Sequence, residues 1–172
     1  MRAHRTLALI GALTVAVLTA GCSEPSAEAG HGGTGGKGDA ETAMQRATRA
    51  LNSVEPESAA REDAGTASLS AGLDGTFTAR GDRPYTFDIA CQAAAEPHTV
   101  VLTLARGAAE SEWEVECGDR EADQFNIPAG APFTATVEPA KPVVDGLVLW
   151  RLNTVAPEDV VDCADDITGC ES

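Results

Sequence analysis

Apolar and polar residues alternate along most of the chain between residues 66 and 155. Clusters of Gly, Pro and Asp separate the alternating segments. Alternation with a period of two over short segments is typical of antiparallel strands that bury one face. The buried positions predicted for the five clearest segments are Tyr85, Phe87, Ile89 and Cys91; Val100, Leu102 and Leu104; Trp113, Val115 and Cys117; Phe133, Ala135 and Val137; and Val148, Trp150 and Leu152.

Weaker strand signals raise the predicted number of strands to seven or eight. They lie at residues 66–73, 76–80 and 124–127. No helical pattern interrupts the series, which disfavours a parallel α/β sheet. The sequence therefore predicts an all-β domain over 66–155, an antiparallel β-sandwich of the immunoglobulin-like or jelly-roll-like kind.

One short helix is predicted ahead of the strands. Met44, Ala47, Leu51 and Val54 follow one another at spacings of three or four residues and form one apolar stripe on a helix over 40–54. Pro56 limits the helix at its C-terminal end. Since the stripe is narrow, we expect the helix to form by docking on the sandwich. Residues 57–65 are polar and are predicted to be an irregular linker, so the helix and linker span 40–65.

The first 21 residues have the features of an export signal. A 12-residue uncharged apolar run at 7–18 follows two arginines, and it is too short to span a membrane. The run ends in Leu18-Thr19-Ala20-Gly21-Cys22, which resembles the lipobox of bacterial lipoproteins, with Thr where Leu is commonest. The resemblance implies cleavage after Gly21 and lipidation of Cys22, with acyl chains such as palmitate. Two or more chains would hold the protein on the extracytoplasmic face of the cell membrane.

Composition separates two further segments and restricts the class of partner. Residues 22–39 are rich in Gly, Ala and Ser without a large apolar side chain, which predicts a disordered, flexible tether. Residues 156–172 form an acidic tail. The chain has 12 Lys and Arg against 27 Asp and Glu, for a net charge of −15. This balance excludes a nucleic-acid binder that depends on phosphate contacts and favours a basic protein or peptide as partner.

Four cysteines follow Cys22, an even number that predicts disulfides in an exported chain. Cys91 and Cys117 both lie on the inward phase of their strands and are expected to pair. Cys163 and Cys170 are expected to close a short loop in the tail. Zinc-binding spacings are absent, and no metal site is predicted.

The order of these features resembles that of small, largely uncharacterised lipoproteins of actinomycetes of the Streptomyces type. The resemblance rests on the lipobox, the Gly-rich tether and the segments Tyr85-Thr-Phe-Asp-Ile-Ala-Cys91, Trp113-Glu-Val-Glu-Cys117 and Gly146-Leu-Val-Leu-Trp150. It covers the signal and roughly residues 77–152. It implies a membrane-anchored β-domain and transfers no active site. The tail that carries Cys163 and Cys170 departs from the simpler members.

The residues and motifs that could serve in catalysis or binding are each explained more simply by a structural role. His31 lies in the tether and His98 precedes a strand, and no G-x-S-x-G motif accompanies them. The tripeptide Arg80-Gly81-Asp82 is predicted to be a hairpin turn. The remaining candidates are acidic. Glu112, Glu114 and Glu116 are predicted to form a solvated outer strand face, with a strip that binds a cation or a partner as the alternative. Asp159, Asp162, Asp165 and Asp166 lack the spacing of an EF-hand calcium loop and are predicted to be a solvated tail, with a loose Ca²⁺ site as the alternative.

The sequence therefore predicts no catalytic residue and no cofactor. It favours a non-enzymatic binding module at the cell surface. One alternative is a small secreted hydrolase with a carboxylate pair, which would need a buried acid pair with a raised pKa in a cleft. The other is a purely structural envelope protein.

Overall fold

One helix and eight strands account for most of the residues that the structure describes. The computed structural model describes residues 36–94 and 97–169, with side chains from residue 42 onward. The signal segment 1–21, Cys22, His31 and Cys170 lie outside these ranges. The elements are α1 (Gly36–Val54), β1 (Ala60–Ser68), β2 (Leu73–Thr78), β3 (Tyr85–Ala93), β4 (Thr99–Arg106), β5 (Ala109–Glu116), β6 (Asp123–Ile127), β7 (Pro132–Val137), β8 (Gly146–Thr154) and a 3-10 turn, Pro157–Asp159.

The strands form two four-stranded antiparallel sheets. Sheet A has the order β1-β8-β3-β6 and sheet B the order β2-β7-β4-β5. The first strand pairs with the last, the second with the seventh, the third with the sixth and the fourth with the fifth. Such pairing describes one long antiparallel hairpin rolled into two layers, which is the jelly-roll arrangement. The predicted antiparallel β-sandwich is confirmed, and its strand order is that of the jelly-roll alternative.

The inner faces of the two sheets enclose an aromatic core. The ring of Phe77 lies 5.3 Å from that of Phe87, 5.3 Å from that of Phe133 and 4.8 Å from that of Trp150, measured between centroids. Opposite Trp150 on β1 stands Gly65, where a Cβ atom would lie 2.5 Å from the indole ring. The ring therefore occupies space that only a glycine leaves open.

A disulfide joins the two sheets at one end of this core. Cys91 on β3 and Cys117 just after β5 are bonded, with their Cα atoms 4.3 Å apart. The predicted pair is confirmed. Cys163 is also disulfide-bonded. Its predicted partner, Cys170, lies outside the described residues, so that pairing stays a prediction.

Helix α1 covers the outer face of sheet A. The predicted stripe is confirmed, since Ala47 and Leu51 are buried and Met44 and Val54 pack beside them against the sheet. The helix begins at Gly36, four residues before the predicted start. As a result both faces of β3 are buried along its whole length, including positions that the alternation had assigned to solvent.

Strand β1 occupies much of the segment that was predicted to be an irregular linker. The strand starts at Ala60, and its sequence, Ala-Arg-Glu-Asp-Ala-Gly-Thr-Ala-Ser, contains no large apolar residue. It lies at the edge of sheet A and is mostly exposed, paired only with β8. Backbone hydrogen bonding to β8 specifies this strand, and such bonding leaves no hydrophobic pattern in the sequence.

The acidic tail is solvated only in part: Asp162 is exposed, as predicted, whereas residues 165–167 close one edge of the sandwich. The backbone N–H of Asn126 donates to Asp166 Oδ2 (2.6 Å), and the N–H of Asp166 donates to Asn126 O (3.0 Å). Ser111 Oγ donates to Asp166 O at 2.9 Å. Beyond these contacts Ile167, only 2% exposed, enters the core between the sheets.

Trp113 was predicted to be buried and is instead 36% exposed. It faces inward by register, opposite Leu102, but β5 is the edge strand of sheet B. Its ring therefore packs on one side only, against the ring of Phe125 at 5.3 Å between centroids.

The buried tail residue provides a test of this architecture. We expect Ile167→Ala to lower the free energy of unfolding by about 2–4 kcal/mol, since it removes a packed side chain from the core. Val161→Ala, at an exposed position in the same tail, should change it by less than about 0.5 kcal/mol. Urea denaturation followed by tryptophan fluorescence measures both. Equal stability of the two variants would show that the tail does not seal the core.

Candidate functional site

The two outer faces of the sandwich differ in what covers them. Helix α1 packs on β3 and β8 of sheet A. The outward positions of sheet B are instead exposed or half-buried on all four strands. Among the described residues, the outer face of sheet B is therefore the large regular surface that stays open to solvent.

Carboxylates and threonines dominate this open surface, which we call the acidic face. Asp74, Thr136, Thr103 and Glu112 form one row across the sheet, since each is the register partner of the next. No lysine or arginine occupies an outward position of β2, β4, β5 or β7. The polar members of the acidic face are the acids Asp74, Glu110, Glu112, Glu114 and Glu116 and the threonines Thr76, Thr78, Thr99, Thr103, Thr134 and Thr136, and the other outward positions hold Val101, Ala105 and Pro132.

The prediction that Glu112, Glu114 and Glu116 share one outer face is confirmed. They pair with Thr103, Val101 and Thr99 of β4 and are all exposed. Alternate residues of a strand lie about 7 Å apart, which is within the Debye length at physiological salt. These carboxylates therefore repel one another, and a cationic partner would relieve the repulsion.

A shallow depression of about 200 Å³ lies at one end of the acidic face. Threonine hydroxyls there can donate to or accept from a polar ligand. Its lining consists of Thr76, Ala105, Gly107, Pro132, Phe133 and Thr134.

A second polar cluster is buried beneath α1. Asp88, at the centre of β3, is 0% exposed. Its carboxylate accepts hydrogen bonds from Asn153 Nδ2 (2.7 Å) and from Gln124 Nε2 (3.0 Å). The same Gln124 nitrogen donates to the carbonyl of Val54 at 3.1 Å. Gln124 thus joins Asp88 to the C-terminal end of the helix.

Burial raises the pKa of Asp88 to about 6, against an ordinary value of 3.8. Hydrogen bonds from Gln124 and Asn153 oppose the rise, and the negative charge of Glu55 adds to it. Glu55 is itself paired with Arg61 and, at 2.6 Å, with Arg151. Asp88 thus has the raised pKa that a general acid needs, but it lies under the helix with no surface open to a substrate.

In the tail, the Asp165 carboxylate is held by backbone N–H groups of the tail itself and by one ion pair. Asp165 Oδ1 accepts from the N–H groups of Ile167 (3.0 Å) and Thr168 (3.1 Å), and Arg106 pairs with the other oxygen. Partial burial raises the pKa of Asp165, but hydrogen bonds from Thr168 and Ile167 and the charge of Arg106 lower it overall. In the described ranges no group of three or more His, Cys, Asp or Glu side chains is placed to hold a metal ion.

The remaining sequence candidates belong to neither cluster. Arg80, Gly81 and Asp82 form an exposed bend, with Gly81 at φ +82°, but it links sheet B to sheet A and is not the predicted hairpin. His98 immediately precedes β4, and its carbonyl accepts from the N–H of Cys117. Neither motif contacts the acidic face through a described hydrogen bond.

The buried cluster was missed because it occupies positions that the alternation assigns to solvent. One signal could have found it. Leu147 and Leu149 stand at outward positions of β8, and Ala90 at an outward position of β3. Apolar residues at both the inward and the outward positions of adjacent strands indicate that both faces of the sheet are covered. The apolar stripe of the predicted helix is the surface that could cover the outer face.

None of the helices in the described part of the chain is both long and apolar enough to cross a membrane. Comparison with known proteins finds no matching family model, curated protein or solved structure. The likeness to actinomycete lipoproteins therefore stays a prediction from the sequence motifs.

Titration of Asp88 predicts an unusual pH dependence. Because its pKa is raised in the folded state, the folded protein holds a proton that the unfolded chain releases, so stability falls as pH rises from about 4 to above 6. We expect this group to cost about 3 kcal/mol at neutral pH. Asp88→Asn should recover much of that cost, because Asn153 Oδ1 has no described partner and can accept from the new amide.

Urea titrations at about pH 4.5 and about pH 7 measure the difference. The pH dependence of stability should be weaker in Asp88→Asn than in the wild type. Asp82→Asn, at an exposed position, serves as the control and should follow the wild type. A pH dependence that is identical in the wild type and Asp88→Asn would contradict the assignment.

Proposed function

We propose that this chain is a lipid-anchored, extracytoplasmic β-sandwich protein that acts as a non-enzymatic binding module at the cell surface. Its acidic face is the contact surface, and its partner is a basic protein or peptide. One observation carries the proposal: α1 covers the outer face of sheet A, whereas the outer face of sheet B is open and carries five carboxylates with no Lys or Arg at the outward positions of its strands.

The geometry of the acidic face suits an extended basic segment. Its glutamates on β5 repeat about every 7 Å, which is also the spacing of alternate side chains in an extended peptide. Lysine or arginine at every second position could therefore meet successive carboxylates in charge-assisted hydrogen bonds. The threonines beside them offer hydroxyls to the backbone of the peptide. Since these charges are exposed, we expect them to speed association and set selectivity more than to give high affinity.

The buried cluster supports a role without catalysis. A carboxylate pair for hydrolysis needs one acid with a raised pKa and a path for the substrate. Asp88 has the first property but is sealed under α1, and the neighbouring Glu55 is held by two arginines. The lipobox-like segment 18–22 supports the anchor, which would hold the domain outside the membrane.

Removal of the lipidated thiol tests the anchor. We expect Cys22→Ala to move the protein from the membrane fraction to the medium, since no acyl chain would hold it. Membrane fractionation with immunoblotting measures the change, and Ser23→Ala serves as a control that should stay on the membrane. Unchanged retention of Cys22→Ala would rule out lipid anchoring.

Neutralisation of two face carboxylates tests the contact surface. We expect Glu112→Gln/Glu114→Gln to weaken binding of a fluorescent lysine-rich peptide by about 3- to 10-fold, since two exposed charge pairs are lost. The control Glu57→Gln/Glu62→Gln removes the same charge at exposed positions outside the face and should weaken binding less than about twofold.

Fluorescence anisotropy at physiological salt measures both variants. Equal weakening would show that the peptide responds to net charge alone and not to the acidic face. Crosslinking and mass spectrometry in the native cell then compare the same two variants. If neither variant changes the crosslinked proteins relative to the wild type, the structural-protein alternative is favoured.

A further inference from the structure

The direction of α1 identifies the end of the sandwich from which the N-terminal segment leaves. Arg46 Nε donates to Gln92 Oε1 at 2.6 Å, near the end of β3, whereas Val54 is bonded to Gln124, the register partner of Asp88 in mid-strand. The helix therefore runs antiparallel to β3. Ten residues of α1 precede Arg46 and extend about 15 Å past this point, toward and beyond the end of β3.

Two described loops share this end of the sandwich, which we call the anchor end. The β1–β2 loop at 69–72 and the β7–β8 loop at 138–145 are joined by the N–H of Ala140, which donates to Leu69 O at 2.9 Å. The N–H of Ala94, just after β3, donates to Asp145 O at 2.8 Å. The base of the β7–β8 loop is thus held against the sandwich, and its middle projects outward.

The projecting part of the β7–β8 loop carries the most exposed large apolar side chain among the described residues. Val143 is 76% exposed and follows the exposed pair Lys141-Pro142. Lys141 is one of few basic residues in an acidic chain. An apolar tip beside a lysine, whose stem can lie on lipid while its ammonium stays in water, suits the boundary between headgroups and acyl chains.

We propose that the tip Lys141-Pro142-Val143 contacts the membrane leaflet that carries the lipid on Cys22. The inference rests on the lipid anchor proposed above. Thirteen residues, 23–35, separate Cys22 from α1. Their Gly-rich composition predicts an average reach of about 20 Å, which is shorter than the roughly 30 Å length of a nine-residue strand. The leaflet therefore lies nearer to the anchor end than to the opposite end.

The opposite end carries a matched exposed side chain. Val161 is 62% exposed, and its carbonyl accepts from Asn126 Nδ2 at 2.9 Å. Asn126 pairs with Thr86 at the beginning of β3, so Val161 lies at the end remote from the N-terminus of α1. The two valines are chemically identical probes of the two ends.

The contact between this tip and the leaflet sets the orientation of the domain on the membrane and adds little to its affinity for the membrane. A single valine is too small to hold a free protein on a bilayer, but a covalent anchor keeps the tip at high local concentration beside the leaflet. Glu138 and Asp145 flank the loop and limit penetration to its tip. With the anchor end against the leaflet the strands stand away from the membrane, and the acidic face opens sideways to partners.

Site-specific fluorescence in vesicles tests the inference. Full-length lipidated protein is prepared as Val143→Cys and as Val161→Cys, each labelled with the environment-sensitive fluorophore NBD and reconstituted into phosphatidylcholine vesicles with and without phosphatidylglycerol. Quenching by nitroxide-labelled lipid should be at least about twofold stronger at position 143 than at 161, and aqueous iodide should show the opposite order.

The possible outcomes distinguish a failure of the tip contact from a failure of the lipid anchor. Vesicle-bound protein in which the two labels are quenched equally would overturn the tip contact and leave the anchor intact. Wild-type protein that fails to float with vesicles, like Cys22→Ala, would overturn the anchor and the tip with it. Quenching that appears only with phosphatidylglycerol would assign the contact to the charge of Lys141 and overturn the apolar insertion of Val143.

Discussion

The docking of α1 on sheet A is the interaction on which the other features of this molecule depend. The helix buries Ala47, Ala50 and Leu51 against Ala90 and Leu147 of the sheet. Most of the stability of a helix in a protein comes from the packing of its apolar face, so the sheet stabilises the helix as much as the helix covers the sheet. Docking places Asp88 in a dry environment and joins it through Gln124 to the end of the helix.

The same docking makes the two outer faces of the sandwich unequal. A symmetric jelly roll would offer two solvated faces, whereas here one is covered and the other is open and acidic. The direction of α1 also fixes the end of the sandwich at which the helix begins. The contrast between the two outer faces, the burial of Asp88 and the definition of the anchor end therefore follow from one packing arrangement. The fold itself assigns no function, which has to be argued from these surfaces.

The sequence predicts those elements whose burial is one-sided and strong. The alternation around Phe87, the helical stripe around Leu51 and the inward phase of Cys91 and Cys117 are all confirmed. It fails where another element determines burial. β1 is specified by pairing with β8, Trp113 is exposed because its strand lies at an edge, and Ile167 is buried by long-range contacts of the tail. Asp88 was missed because the alternation assigns its position to solvent, and only the apolar residues at outward positions of β3 and β8 indicate that a helix covers this face.

Native-state hydrogen exchange tests the central claim most directly. If α1 is an integral layer of the fold, the backbone amides of residues 47–54 should be protected from exchange nearly as strongly as those of β3. The single substitution Leu51→Asp should then remove protection both from the helix and from the part of sheet A that the helix covers. Rapid exchange throughout α1, with β3 still protected, would show that the helix is not docked. The covered face, the burial of Asp88 and the defined anchor end would then all be lost.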